Sequence, residues 1–248
     1  MRRIKFKAPL TVAVALLSMA MPASAQEADS KVTLTGGVTL VSDYRFRGIS
    51  QTDRRFALQG SFTAAHSSGF YGSIWDSSID DYVYGGADQE LDLIGGYRRT
   101  FGGTTIDAGL LYYYYPGSGG ISSDFFEPFV SVAHTLGPAT AKLTANYVPK
   151  QRALSIGAGN EDNLYLAGDL FAAIPGTPIG LNAHLGHSFG PSYLTIGDEY
   201  TDWSLGGSVA WKNLSVGLSY VDTDGDFITP SRRNASKAGL VASVGVSF

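Results

Sequence analysis

The sequence predicts an all-β chain, a 12-stranded antiparallel transmembrane β-barrel with short periplasmic turns and long extracellular loops. Three observations predict it. Apolar residues recur at every second position along the chain after residue 25, with no helical spacing sustained over three turns. The connections between these segments are alternately short and long. Aromatic residues on the apolar face collect near the two ends of the segments, where a membrane interface would hold them.

Twelve segments carry the alternation. In the first, about 32–46, Val32, Leu34, Gly36, Val38, Leu40, Tyr44 and Phe46 share a face opposite Thr33, Thr35, Thr39 and Arg45. The second, about 55–66, sets Phe56, Leu58, Phe62 and Ala64 against Arg55, Gln59, Ser61 and Thr63. The third, 69–79, has two competing phases, Tyr71, Trp75 and Ile79 or Phe70 and Ile74. In the fourth, 89–101, Leu91, Leu93, Tyr97 and Phe101 oppose Glu90, Asp92 and Arg98. The fifth, 104–115, runs through Ile106, Ala108, Leu110, Tyr112 and Tyr114. In the sixth, 125–136, Phe126, Val130, Val132 and Leu136 oppose Glu127 and Ser131.

The second half repeats the pattern. Ala139, Ala141, Leu143, Ala145 and Tyr147 face away from Lys142, and Leu164, Leu166 and Leu170 face away from Asp169, with Tyr165 and Phe171 blurring the phase. Ile179, Leu181, Ala183, Leu185 and Phe189 oppose Asn182 and His184. Trp203, Leu205, Val209 and Trp211 oppose Asp202, and Leu214, Val216, Leu218 and Tyr220 oppose Ser215 and Ser219. The last segment places Leu240, Ala242, Val244, Val246 and Phe248 on one face. Short links at 66–69, 102–103, 137–138, 175–178 and 212–213 alternate with long ones at about 47–54, 80–88, 116–124, 148–162, 190–200 and 222–236. An even strand number with both termini on the short-turn side follows.

Composition agrees. Thirty-one Gly, 14 Tyr and 13 Phe with 16% charged residues suit pleated strands. A mean hydropathy of +0.02 is compatible with a membrane barrel, since only alternate residues meet lipid. Residues 1–25 read as a signal peptide. Arg2, Arg3, Lys5 and Lys7 precede an apolar run from Ala8 to Met21, and Ala23-Ser24-Ala25 fits a cleavage site. The run is too short for a spanning helix. Residues 26–248 then form the barrel, with 14 basic against 22 acidic residues, a net −8. That charge argues against nucleic acid as a partner.

Val244, Val246 and the terminal Phe248 resemble the C-terminal assembly signal of outer-membrane barrels. The segment Val41-Ser42-Asp43-Tyr44-Arg45-Phe46-Arg47-Gly48-Ile49-Ser50-Gln51-Thr52 resembles the N-terminal signature of the TorF family of proteobacterial porin-like proteins. Gly69-Phe70-Tyr71-Gly72 with Trp75, and Gly86-Ala87-Asp88 with Glu90, Asp92 and Gly95-Gly96-Tyr97, resemble its next two blocks. The resemblance implies an outer-membrane channel and brings no catalytic residues or cofactor. Expected partners are outer-membrane lipids, the barrel assembly machinery during biogenesis and small hydrophilic solutes.

Residues on the polar face are the candidate pore lining: Arg45, Arg55, Glu90, Asp92, Arg98, Glu127, Lys142, Asp169, Asn182 and His184. Charges of both signs around a water-filled lumen set ion preference. Their competing role is to plug it through internal salt bridges, and antiparallel register would set Lys142 opposite Asp169. A basic cluster of Arg45, Arg47, Arg54 and Arg55 marks the mouth, where it could attract anionic solutes, bind outer-leaflet lipid phosphates, or pair with Asp43 and Asp53. The expected function is a passive diffusion channel. A non-conducting structural or adhesive barrel is the alternative, and a lipid-acting barrel enzyme the third. The His66-Ser67-Ser68 spacing that suggests an enzyme sits on a short turn without an evident orienting Asn. Asp222, Asp224 and Asp226 begin like a calcium loop, but Arg233 stands where the bidentate Glu belongs.

Overall fold

The computed structural model describes residues 31–157 and 159–248. The expected signal peptide lies outside the described residues. The strands are β1 (Val32–Val41), β2 (Arg45–Phe46), β3 (Ile49–Ser50), β4 (Ala57–His66), β5 (Phe70–Ser78), β6 (Gln89–Phe101) and β7 (Thr104–Tyr114). They continue with β8 (Phe125–Leu136), β9 (Ala139–Gln151), β10 (Glu161–Ala173), β11 (Ile179–Phe189), β12 (Tyr200–Trp211), β13 (Leu214–Thr223) and β14 (Gly239–Ser247). Twelve of them, all but the β2–β3 hairpin, close into one antiparallel barrel in which each strand pairs with its neighbours in sequence.

Closure joins β1 to β14, with Val38 opposite Val246 and Leu40 opposite Val244. Phe248 takes part directly. It exchanges backbone hydrogen bonds of 2.9 Å with Gly36 in both directions. Its ring lies over Gly36, where a Cβ would come within 2.7 Å of the ring edge. The terminal aromatic thus covers a glycine at the seam, which leaves no unpaired edge at that point.

Phase assigns the two faces. Leu34, Leu58, Phe62, Leu93, Leu110, Val132, Leu143, Leu170, Leu185, Leu205, Leu218 and Val244 are exposed on the outer surface. So wide an apolar surface requires lipid around it, and closure satisfies the backbone there. In β5, Phe70 and Ile74 point outward while Tyr71 and Trp75 pack within, which settles the competing phases. Tyr165 points inward and is buried. Phe56, Tyr112, Tyr114, Phe126, Tyr147 and Tyr220 form the outer aromatic belt at the long-loop end, and Phe70, Tyr97, Phe101, Trp211 and Phe248 form the one at the short-turn end.

The first segment departs from expectation. The barrel strand ends at Val41, and residues 42–56 leave the wall. Tyr44, expected on the lipid face, is 1% exposed inside the barrel, and Phe46 packs edge-on against Tyr113 at 6.1 Å. The cause is local. Arg47 and Gly48 take positive φ values of 46° and 81°, which turns the chain into the short β2–β3 hairpin and ends the alternation that a continuous strand would need.

Candidate functional site: the lumen and its closed mouth

Loop 42–56 crosses the mouth of the barrel. It leaves β1, and the tip residue Arg47 reaches β8 and β10, which flank β9 on the opposite side of the ring. There the Arg47 guanidinium is 2.5 Å from Glu127 Oε2 and donates to Asn163 Oδ1 at 2.8 Å. Aromatic rings flank it, Phe46 at 4.8 Å and Tyr165 at 4.2 Å from ring centroid to guanidinium carbon. Glu127 is held from its other oxygen by Asn146 Nδ2 at 2.6 Å and Tyr113 Oη at 3.3 Å. Asn163 cannot flip without loss, because its Nδ2 donates to Phe189 O at 2.7 Å. The guanidinium thus divides its two terminal nitrogens between a carboxylate and an amide oxygen while its plane lies against two rings, a use of its fork that an ammonium could not match.

The hairpin is locked down by other loops. Ser50 N donates to Ala235 O at 3.0 Å, and Arg45 donates to Gly48 O and Ala235 O, both at 3.0 Å. Asp53 accepts from Thr229 Oγ1 at 2.9 Å and Ser231 Oγ at 2.6 Å. Tyr82 donates to Ser50 O, and Tyr193 to Val83 O. Beneath this cap lies an aromatic core built by Tyr44, Tyr84, Tyr113, Tyr115, Phe125 and Leu154. Burial, and next the charge of Glu90, hold the Tyr44 phenol well above its ordinary pKa. Tyr44 therefore stays a neutral donor, 2.9 Å from Glu90 Oε1.

Deeper in the lumen a second network runs along the wall. Tyr165 Oη is 3.0 Å from Asp202 Oδ2, and His184 lies between Asp202 at 3.1 Å and Asp169 at 2.7 Å. Lys142 faces Asp169 across the β9–β10 pair. Arg98 pairs with Asp107 at 2.7 Å and lies over the Tyr71 ring. On the opposite wall the inward positions are small: Thr35, Thr39, Ser61, Thr63, Gly206, Ser208, Ser215, Gly217, Ser243 and Gly245.

The expected lining residues therefore separate into groups. Glu90, Asp92 and Glu127 face inward but are sealed beneath the cap. Arg98, Lys142, Asp169, Asn182 and His184 face the lumen from strands. Neither Arg45 nor Arg55 lies on a barrel strand. Arg45 belongs to the cap hairpin, ion-paired with Asp43 at 2.6 Å, and Arg55 is an exposed loop residue paired with Asp80. Both were placed inward by extending the first two strands through the loop. Arg47, Asn163 and Tyr165 were missed as a unit, because they come from a loop and a distant strand. Asp107 and Asp202 were legible from phase alone.

The two enzyme-like and metal-like motifs do not assemble further. His66 Nδ1 is 2.7 Å from Ser68 Oγ on an exposed turn and also accepts from the Ser68 backbone. Asp222, Asp224 and Asp226 each bond a different group, Tyr220, Thr201 and Asn234. Among the described residues no cluster of His, Asp or Glu has metal-binding geometry.

The fold recurs among solved structures. The chain is similar to the KdgM porin in complex with disordered oligogalacturonate, with TM-score 0.57 and 10% identity over 87% of this chain and 98% of that one. It is equally similar to the NanC porin, with TM-score 0.57 and 12% identity over 87% and 99%. No curated protein matches the chain. Residues 25–248 match the family described as "Bacterial protein of unknown function (Gcw_chp)", and the chain belongs to that family.

Proposed function

We propose that this chain is an outer-membrane channel for passive diffusion of small hydrophilic solutes or ions, of the kind the TorF resemblance implies. In this reading residues 1–25 direct export and are removed, the short turns face the periplasm and the long loops face outward. The lipids of the outer membrane and the barrel assembly machinery are its partners, and no bond is made or broken. The observation that carries the reading is the closed barrel whose outer face is apolar and whose inner face is polar. The small-residue wall of β1, β4 and β12–β14 leaves room beside it, and charges on the facing wall act on whatever passes. Similarity to two porins supports the fold that such a channel needs.

A second reading has its own observation. The cap buries inward residues of the outer third on nearly every strand, from Ala57 and Ser77 through Phe125, Val148 and Ser188 to Val221. A barrel permanently closed in this way would be a structural or adhesive protein presenting its loops. Single-channel recording of the mature chain in a planar bilayer separates the two. Discrete steps support the channel; a folded barrel that never conducts, with or without its cap, supports the structural role.

A further inference from the structure

We propose that the outer lumen contains a binding site for a cationic solute bearing a guanidinium or ammonium group, and that Arg47 fills it as a tethered stand-in. The proposal rests on the channel reading and names its solute class. The receptor half is built on strands: Glu127 on β8, Asn146 on β9, and Asn163 and Tyr165 on β10. The cation alone comes from a loop, at a residue with positive φ, a conformation that a non-glycine residue holds only under constraint. If the loop lifts, the strands keep the site and lose the ligand.

The surrounding wall has more carboxyl groups than Arg47 pairs with. Glu90 is bonded by a neutral phenol. Asp92 is 6% exposed, and its Oδ1 is buried with no hydrogen-bond partner. This orphaned oxygen lies within electrostatic reach of Glu127, so it is a place for a second positive group or the far end of a longer cation. Counting down the lumen, Asp107, Glu127, Asp169 and Asp202 face Arg98, Lys142 and the His184 ring that bridges two of them. With Arg47 withdrawn, the potential in the lumen favours cations and opposes anions. This sign is opposite to what a polyanion such as the oligogalacturonate of the KdgM complex would need.

The test uses the full mature chain in planar bilayers under a KCl gradient, comparing wild type, Arg47→Ala and Arg47→Ala/Glu127→Gln. Losing one side of a buried ion pair is expected to raise the open fraction of Arg47→Ala by about a hundredfold, or to saturation. Its reversal potential should lie on the potassium side. Guanidinium chloride added on the loop side should then block Arg47→Ala in a concentration-dependent way, while an equal concentration of sodium chloride does not. Wild type, whose site is filled, and the double variant, which lacks the carboxylate, should be far less sensitive. If Arg47→Ala does not assemble, Arg47→Gln carries the same comparison. A reversal potential on the chloride side, or block that is equal in wild type and Arg47→Ala, overturns the proposal. Steps from neither protein, with the barrel shown to be folded, overturn the channel reading itself.

Discussion

Replacing Arg47 by Met keeps the unbranched apolar stem of the side chain and removes the guanidinium, with its charge and its bonds to Glu127 and Asn163. Arg47 and Glu127 have side chains 6% and 0% exposed, so the pair is as buried as a core pair. Removing one partner of such a pair costs about 3–5 kcal/mol, mostly because the other charge is stranded. The barrel will not unfold for this. The cap can instead open and let water reach Glu127, so the cost appears as a larger opening equilibrium, by roughly a hundred- to several-thousandfold. Amide hydrogen exchange reads that equilibrium directly. The reporting amides are Ser50, bonded to Ala235 O at 3.0 Å, and Gln51, bonded to Tyr44 O at 2.7 Å. Strand amides such as those of the β9–β10 pair serve as the internal control and should not change. Adding Glu127→Gln removes the stranded charge and should restore most of the protection, a coupling that two independent sites would not show. Exchange at Ser50 and Gln51 at the wild-type rate in Arg47→Met would refute the claim that this ion pair holds the cap shut.

Three further outcomes follow from other parts of the structure. Asp92→Asn should leave folding intact and move the reversal potential toward anions, while Arg98→Ala should move it toward cations; reversal potentials equal to wild type would remove both residues from the solute path. Deleting Phe248 breaks both backbone bonds to Gly36 and uncovers the seam, so the fraction of heat-modifiable, assembled barrel should fall severalfold, and normal assembly would sink the closure role. In Gly186→Ala the new Cβ would come within 2.5 Å of the Tyr165 ring carbon Cζ, which displaces the ring under Arg47 at a cost of about 1–3 kcal/mol. Ser50 exchange should then quicken, whereas Gly168→Ala, with 3.6 Å to spare, should leave it alone.

The barrel was legible because its two signals are local. Alternation assigns each residue a face from its neighbours alone, and loop length follows from counting. The strand count, the short-turn positions and the Lys142–Asp169 register were all available in this way. What alternation cannot see is where a strand stops while its pattern continues. Tyr44 and Phe46 keep the period of β1 by coincidence, yet they belong to a hairpin inside the barrel. The same error moved Arg45 and Arg55 from the loop onto the wall. The arginine site was illegible for a different reason. Arg47 lies 80 positions from Glu127 and 116 from Asn163, and nothing local marks them as partners. The available hint is the basic cluster at the mouth, whose evident partners in sequence are the nearby Asp43 and Asp53 and not a distant wall. In the structure Arg45 pairs with Asp43 and Arg55 with Asp80, both nearby, while Arg47 crosses to the far wall.

Two kinds of attachment hold the cap, and they need not act together. Loop to loop, the ties are Arg45 and Ser50 to residues near Ala235, Asp53 to Thr229 and Ser231, and Tyr82 to Ser50. Loop to wall, the polar ties are Tyr44 to Glu90 and Arg47 to Glu127 and Asn163. Opening that lifts the hairpin off the wall breaks the second set first, and the hairpin's bonds to the last loop, Ser50 to Ala235 among them, then open with it. Opening is then governed by the wall acids, and the loop-to-loop contacts decide how cleanly the cap returns. Cutting an inter-loop tie, as in Asp53→Ala, loosens the last loop and leaves the mouth blocked. Cutting a wall tie frees the mouth, and the hairpin's bonds to the last loop then open and close with it. A cap whose one charged wall tie ends on a carboxylate is also one that a soluble cation can compete for, which makes Glu127 both the latch and the point of entry.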